Sequence, residues 1–473
     1  MKTNTPTALR GKPGLDARLE AALTRMRTAR FQLWQALLAA LLGVALLIGF
    51  AAVALYGEEK GAGPIAKAVH AVAAAPVTAH KVTAEAIAHY HPRLAKTQRF
   101  EGEAGFSIAP GAPRTGDLIA LSRFDGDAKR GEVDIVSMDD GAVLWAYRPD
   151  LEGIYARAKI PERVSHLRRD HSPSRYLPYA PSVEADGSMV FHSMDSPLVK
   201  EDACSRILWM IDGEFHHGVE SDGAGGNWAI RTLSPPTVER VGPDYQDDAV
   251  AHVSSDGKIL FERSISQALI GAGYDYIVYS HDVYDPDPIH LNDVQPVLSD
   301  TAYWKAGDLF LSIRNPSMLA LYRPSTDEIV WAKTGPWLMQ HDVDIISDHE
   351  IAVLNNNAAA VPSGEWVRGV NSIVVYDFAD GKTRTILEDS FKKAEVRSKT
   401  NGLFAMLPDG AMMVEEQNYG RLLAFNPDGS VRWTFVNRAP KDGRVYQVGW
   451  SRALTGARAA EIRNALAHTS CPA

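Results

Sequence analysis

Cysteine is nearly absent from this 473-residue sequence, which contains only Cys204 and Cys471. Two cysteines so far apart exclude a cysteine-rich metal framework and form no paired-cysteine redox motif. In an oxidising compartment the two thiols could join in a disulfide, which would tie the C-terminal tail to an earlier part of the chain. Two free thiols are the alternative, and the sequence leaves both open.

An excess of positive charge is also missing. The chain has 49 Lys and Arg against 58 Asp and Glu, a net charge of −9 and a pI near 5.9. Nucleic-acid-binding proteins concentrate positive charge on one face, and no basic stripe with interleaved aromatic residues follows residue 56. The composition therefore predicts no nucleic-acid partner.

One long apolar run does occur, near the N-terminus. Leu33 to Tyr56 contains no charged residue and is long enough to span a bilayer. Basic residues dominate the segment before it. The positive-inside rule then predicts a cytoplasmic segment at residues 1–32, a transmembrane helix at 33–56 and a periplasmic remainder, in a single-pass protein of the inner membrane. A cleaved signal peptide is the alternative, but the run is long and begins late for one.

A strand-and-turn motif recurs through the rest of the chain. Asp-Gly followed by a short strand and Trp occurs at Asp140–Trp145 and Asp428–Trp433, and a variant at Asp256–Phe261 ends in Phe. Related segments end at Trp209 and Trp331. The spacing suits propeller blades of about 40 to 50 residues, which bury their faces against neighbours in a ring.

We therefore predict an all-β fold, a six-bladed β-propeller over residues 105–440, with the repeated tryptophans as blade packing residues and not as a substrate site. A β-sandwich is the alternative, but a single sandwich needs only about 100 residues. The flanking segments are predicted as a linker or stalk at 57–104 and a helical tail at 441–473, which docks its apolar face outside the blades.

Histidines occur in three short clusters between the repeated motifs. The clusters are Phe215–Val219, Ile289–Val294 and Met339–Val343, and Arg314 follows the second of them. In a propeller, such positions fall on the loops and strand starts that line the central channel. Three blades are therefore expected to direct imidazoles to one axial site. Because neighbouring side chains on a strand point apart, Asp342 is not required to orient His341.

The ordered series His-His, His-x-Asn-x-Val, Ser-x-Arg-Asn-x-Ser and Gln-His-Asp, followed by Asn355–Asn357, resembles the bacterial arylsulfate sulfotransferase family over about residues 180–436. That resemblance implies a six-bladed propeller that moves sulfate between phenols through a transiently sulfated histidine. It implies an aryl sulfate donor, a phenol or glycan acceptor, and no cofactor or metal.

The resemblance also assigns roles to individual residues. His341 matches the nucleophile, and His290 and Arg314 match sulfate-binding groups. The remaining histidine is His217, with His216 as the fallback; His216, Asn292 and Asn356 are placed at the substrate. A neutral imidazole is a competent nucleophile near pH 7, and an arginine fork suits two sulfuryl oxygens.

Two departures from the family pattern stand out. Gly218 follows the histidine pair where an acidic residue is expected, and Tyr274–Pro288 reads as an added acidic loop at the acceptor side. Two other interpretations remain open. One is a non-enzymatic propeller that acts as a scaffold in an envelope assembly complex. The other is a three-histidine zinc site, which the charge of Arg314 disfavours.

Overall fold

The computed structural model describes residues 15–57, 63–75, 93–159, 173–279, 283–361 and 364–471. They belong to two compact units, one within residues 1–89 and the other within residues 90–473. The boundary between the units thus falls near residue 90, and the predicted linker of 57–104 extends too far. Leu94 shows why, because it forms a β-bridge with Tyr446.

The first unit is helical. Helix α1 (Leu15–Tyr56) includes the exposed apolar segment Leu33–Leu55, whose length and mean hydropathy of 2.7 suit a membrane anchor or a signal sequence. The helix begins well before the predicted start at residue 33. A second helix, α2 (Pro64–Ala75), occupies part of the predicted linker. Residues 1–14 of the predicted cytoplasmic segment lie outside the described residues.

The second unit is built from antiparallel strands. In chain order they are β1 (Gly105–Ile108), β2 (Leu118–Asp125), β3 (Arg130–Ser137), β4 (Val143–Tyr147), β5 (Tyr179–Val183), β6 (Met189–His192), β7 (Ser196–Glu201), β8 (Ile207–Ser221), β9 (Asn227–Leu233), β10 (Asp247–Val253), β11 (Ile259–Ser264), β12 (Leu291–Pro296), β13 (Leu309–Ile313), β14 (Met318–Arg323), β15 (Glu328–Thr334), β16 (His341–Ile345), β17 (Glu350–Asn355), β18 (Ala358–Val361), β19 (Gly364–Val367), β20 (Ser372–Asp377), β21 (Thr383–Ile386), β22 (Leu403–Met406), β23 (Met412–Glu416), β24 (Arg421–Phe425), β25 (Val431–Val436) and β26 (Arg452–Leu454). The helices are Leu151–Arg157, Ile265–Gly271, Asp275–Val278, Glu388–Ala394 and Gly456–Ala467.

These strands form a propeller-like set of sheets. Four sheets are separate units with the strand orders β26-β2-β3-β4, β12-β13-β14-β15, β16-β17-β20-β21 and β1-β25-β24-β23-β22. Strands β5 to β11 form one seven-stranded sheet, and β18 and β19 form a hairpin. Two sheets join distant parts of the chain, since β1 pairs with β25 and β26 pairs with β2.

The tryptophan of the repeated motif links one sheet segment to the next. The indole N–H of Trp145 on β4 donates to the carbonyl of Ala203 at 2.8 Å, and that of Trp209 on β8 donates to Ser255 at 2.9 Å. The Asp-Gly turn fits the same contact: at Gly257, with φ of +82°, a Cβ atom would lie 2.7 Å from the Trp209 ring. Glycine is therefore needed there for both its backbone conformation and its size.

The C-terminal tail is predicted to be helical at least after Gly456, and its helix is Gly456–Ala467. Before it, Arg452–Leu454 forms a strand that extends the first sheet beyond residue 440. The helix buries Ile462 and Leu466 in the same core as Ala203. Cys471 lies beyond it and forms a disulfide with Cys204, which decides between the two alternatives for the cysteines.

A buried carboxyl group in this fold leads to a stability prediction. Glu201 on β7 is fully buried, neither carboxyl oxygen has a hydrogen-bond partner within the described ranges, and burial raises its pKa to about 8. The unfolded chain ionises this group near 4.5, so the folded state loses stability as the pH rises from there to about 8.

Glu201→Gln removes that cost because glutamine stays neutral. We expect the variant to be more stable than the wild type by about 3 kcal/mol at pH 7 and equally stable near pH 4.5. Urea unfolding of the full-length protein at both pH values measures the difference. A gain of the same size at both pH values would show that ionisation is not its cause.

Candidate active site

Three histidines from different sheets lie together in the structure. The ring centroid of His217 is 5.2 Å from that of His290 and 6.3 Å from that of His341. Arg314 belongs to the same group, because its backbone N–H donates to the His290 carbonyl at 3.0 Å and its charge acts on His341. His217 and His341 are buried, whereas the His290 side chain is 28% exposed. The cluster is therefore open to solvent on the His290 side.

Irregular strand pairing positions these histidines. Register shifts occur in β8 between His216 and Val219, in β12 between Leu291 and Asp293, and in β16 between His341 and Val343. His217 and His290 have left-handed backbones, with φ of 57° and 48°. Such conformations are costly for residues other than glycine, and bulges re-aim side chains out of the regular alternation. We infer that the bulges allow imidazoles of separate sheets to meet.

The hydrogen bonds of His341 determine where its proton lies. The Asn356 side-chain amide donates to the carbonyls of Ser398 at 3.2 Å and Asn401 at 2.8 Å, so its oxygen faces His341. That oxygen lies 2.8 Å from Nδ1 of His341, which must therefore carry a hydrogen. The backbone N–H of Asn401 donates to Nε2 at 3.2 Å, which requires a lone pair there. His341 is thus the tautomer with hydrogen on Nδ1 and a basic Nε2, whose lone pair accepts the Asn401 N–H.

The surroundings of His341 keep it neutral. Burial, followed by the positive charge of Arg314, lowers its pKa well below 6.5. Burial and the charge of His216 likewise lower the pKa of His217. Both imidazoles are therefore held in the neutral form, and the Nε2 lone pair of His341 is not lost to protonation.

The other two histidines are each paired with a carboxylate. His290 Nδ1 lies 2.5 Å from Asp287, and His216 Nε2 lies 3.2 Å from Asp248. The latter is an ion pair with poor hydrogen-bond alignment, because His216 Nε2 makes no well-directed hydrogen bond within the described ranges. His216 is therefore one contact removed from the cluster. Asp287 comes from the predicted acidic loop, which thus contacts the site through His290.

The two predicted substrate asparagines have structural partners. Asn356 holds His341, as described above, and Asn292 donates from Nδ2 to the Gln340 carbonyl at 2.7 Å. Gln340 is buried, and its amide donates to the carbonyls of Ile313 and Met318. Asn292 and Gln340 therefore tie β12 and β13 to the residue that precedes His341.

A second set of contacts joins successive inner strands. Carboxylates of Asp248, Asp293 and Asp342 each accept a hydrogen bond from a backbone N–H of the following sheet, at 2.8, 2.9 and 2.7 Å. The three donors are Leu291, Val343 and Phe404. Asp342 thus binds the next sheet and does not orient His341, in agreement with the alternation of strand side chains.

Acidic residues gather around one arginine close to these contacts. Arg452 on β26 forms an ion pair with Glu220, and its charge also acts on Asp342, Asp293 and Asp344. Burial, and then the charge of Glu220, raise the pKa of Asp344 to about 7. The cluster is therefore sensitive to the loss of its arginine.

Trp450 is a site residue that the sequence did not indicate. Its ring packs edge-on against His217 at 5.8 Å and against His341 at 6.3 Å, and it is fully buried. It falls in the segment that was predicted as a tail, outside every histidine cluster. Its position follows from β26, whose pairing with β2 brings the segment after residue 440 back to the sheets.

The zinc interpretation gains no geometric support. Within the described part of the chain, one group of side chains has metal-ligand spacing, namely His349, Glu350 and Asp377. His217, His290 and His341 are not in that group. The site instead combines a nucleophilic nitrogen with cationic and N–H donors, which suits attack on a group that carries anionic oxygens.

The chain was compared with protein families, curated proteins and solved structures. The family model described as arylsulfotransferase (ASST) matches residues 195–438, which include all four clustered residues. No curated protein matches the chain. Among solved structures, a protein of unknown function from Bacteroides caccae is 10% identical, with 70% of this chain and 97% of that chain covered and a TM-score of 0.44. The Pan2 WD40 domain of Neurospora crassa is 11% identical, with 71% and 85% covered and a TM-score of 0.36.

Proposed function

The chain belongs to the arylsulfotransferase family, and we propose that it moves a sulfuryl group from an aryl sulfate to an acceptor hydroxyl through a sulfohistidine at His341. The observation that supports this most directly is the fixed tautomer of His341. Asn356 accepts the hydrogen bond of Nδ1–H, which leaves Nε2 without a hydrogen as the attacking atom, and the Asn401 N–H that Nε2 accepts gives way to the sulfur in the reaction.

The reaction has two halves. In the first, Nε2 of His341 attacks the sulfur and the bond from sulfur to the aryl oxygen breaks. The leaving phenolate takes a proton from His290, whose ring is held by Asp287. In the second, the acceptor hydroxyl gives its proton to His290 as its oxygen attacks the sulfur, and the S–N bond breaks. Arg314 and His217 bind the sulfuryl oxygens throughout.

The acceptor is a phenol or an envelope glycan. A phenol leaves more readily than an alkyl alcohol because its anion is stabilised, as the side-chain phenol pKa of about 10 reflects. The partly exposed His290 supports entry of both substrates from its side of the cluster.

We further propose six blades and a periplasmic location. Strand β8 pairs with β7 from Ile207 to Ile211 and again at Phe215, and with β9 from Glu214 to Ser221, so most of its first half belongs to one partner and its second half to the other, and we divide the seven-stranded sheet at β8 into two blades. Together with the four separate sheets this gives six. The disulfide between Cys204 and Cys471 supports an oxidising compartment, with Leu33–Leu55 as the inner-membrane anchor and the N-terminus in the cytoplasm.

Steady-state kinetics of the full-length protein in detergent tests the proposed activity. With an aryl sulfate donor and a phenol acceptor varied against each other, we expect the parallel lines of a ping-pong reaction, because the first phenol leaves before the acceptor reacts. A chelator should leave the rate unchanged. Absence of turnover, or loss of turnover on chelation only, would favour the scaffold or the metal interpretation.

A further inference from the structure

His216 lies between a carboxylate and a site histidine. Its Nε2 is 3.2 Å from Asp248, and its Nδ1 is 2.8 Å from Nδ1 of His217. All three side chains are buried. Asp248 is itself fixed, since it accepts the backbone N–H of Leu291 at 2.8 Å. The three groups form a chain that starts at a carboxylate and ends at the cluster.

The short contact between the two rings limits where their protons lie. Two Nδ1 atoms at 2.8 Å share one hydrogen, so one ring donates and the other accepts. The carboxylate of Asp248 favours a hydrogen on Nε2 of His216. If His216 is an imidazolium, its Nδ1 donates to His217, and the hydrogen of the neutral His217 must then be on Nε2.

The alternative arrangement suits an anion poorly. A neutral His216 with hydrogen on Nε2 would accept from Nδ1–H of His217, which would leave a lone pair on Nε2 of His217. That lone pair would repel sulfuryl oxygens, whereas an Nε2–H would donate to them. The charge on His216 therefore decides whether His217 can bind the anion.

We propose that Asp248 and His216 are positioning residues. They hold His217 as an Nε2–H donor, and His216 adds a buried positive charge beside the site that binds the sulfuryl oxygens. This inference rests on the proposed sulfuryl transfer and extends it to two residues beyond the reacting groups.

The electrostatic surroundings of His216 support the charged form. Burial, the largest single influence, lowers its pKa, but the contact with Asp248 and the charges of Asp195 and Asp287 together raise it above its ordinary value. The opposing groups are His217 on the same strand and His192 on β6. Because the pKa of His216 is raised, the imidazolium persists to higher pH than that of an ordinary histidine and is lost as the pH rises through the raised value.

Binding of inorganic sulfate to the full-length protein, measured by calorimetry from pH 6 to pH 9, tests the inference. Wild-type affinity should fall on the alkaline side as His216 loses its proton. Asp248→Asn keeps an oxygen for the N–H of Leu291 but removes the charge, so the fall should move to lower pH by about 1 to 3 units. At pH 8, kcat for an aryl sulfate should drop by roughly 10²-fold.

Two further variants make the result specific. Asp256→Asn, in the turn after β10, changes an exposed aspartate of the same hairpin and should leave the pH dependence of sulfate binding unchanged. His216→Gln keeps an amide that can donate to His217 but cannot be protonated, so sulfate affinity should lose the alkaline fall altogether.

The outcomes separate this inference from the proposed function. A wild-type pH profile of sulfate binding in Asp248→Asn would overturn the inference, even if the enzyme transfers sulfate through His341. A shifted profile in a protein without any turnover would retain the anion site and its positioning pair, and would instead overturn the proposed reaction.

Discussion

Replacing His341 with Asn is expected to abolish sulfate transfer. Asparagine preserves a polar side chain near Asn356 but has no nucleophilic lone pair, so neither half of the reaction can proceed. We expect kcat to fall by roughly 10⁴-fold or more, as for other nucleophiles that act in a covalent mechanism. Incubation with a radiolabelled aryl sulfate should label the wild-type protein and not the variant, as judged after denaturation at alkaline pH.

A matched control is the same substitution at His349, which is partly exposed and bonded to Asp348. His349→Asn should retain wild-type labelling and turnover. Release of phenol from the His341 variant at the wild-type rate would contradict the assigned nucleophile. Labelling of His341→Asn at another histidine would transfer the role to that residue.

Replacing Arg452 with Leu is expected to cause a large loss of stability. The substitution leaves Glu220, Asp293, Asp342 and Asp344 without the cation that acts on all four. Breaking a buried ion pair by removing one partner costs about 3 to 5 kcal/mol, and the lower figure applies here because the Arg452 side chain is 19% exposed. Urea unfolding of the full-length protein at pH 8 measures this loss.

The pH dependence of that loss identifies its cause. Removal of the arginine raises the pKa values of the carboxyl groups further, so the folded variant gains protons and loses stability as the pH rises. The deficit should therefore be smaller at pH 5 than at pH 8. Arg452→Lys keeps the charge and should be less destabilised than Arg452→Leu. Equal deficits for Leu and Lys, at both pH values, would indicate lost packing instead.

The elements that the sequence predicted best are those that local sequence motifs indicate. The repeated Asp-Gly and Trp motif predicted antiparallel blades. Trp145 and Trp209 do contact the sheet segment that follows each of them in the chain. The family resemblance, which the match over residues 195–438 confirms, rested on the order of three histidine clusters and Arg314. Each cluster marks the start or the bulge of an inner strand, so local sequence was enough to find it.

Other site residues depended on pairings that no local pattern encodes. Asp248 meets His216 across a strand contact between residues 32 positions apart, and Trp450 reaches the site just before strand β26. The sequence predicts a helical tail because the apolar residues of this segment recur at helical spacing. The pairing of Leu454 with Leu118 overrode that local preference before Gly456.

The hydrogen bonds that pass from one inner strand to the next have a consequence for the timing of activity. His341 accepts a hydrogen bond from Asn401, and Trp450, which packs against His217, is anchored by Glu415; both follow every clustered histidine in the sequence. A nascent chain that has exposed His217 and His290 still lacks these partners. Synthesis through Trp450 therefore completes the site, and a chain that stops between His341 and Asn401 would carry all three histidines without the contacts that arrange them.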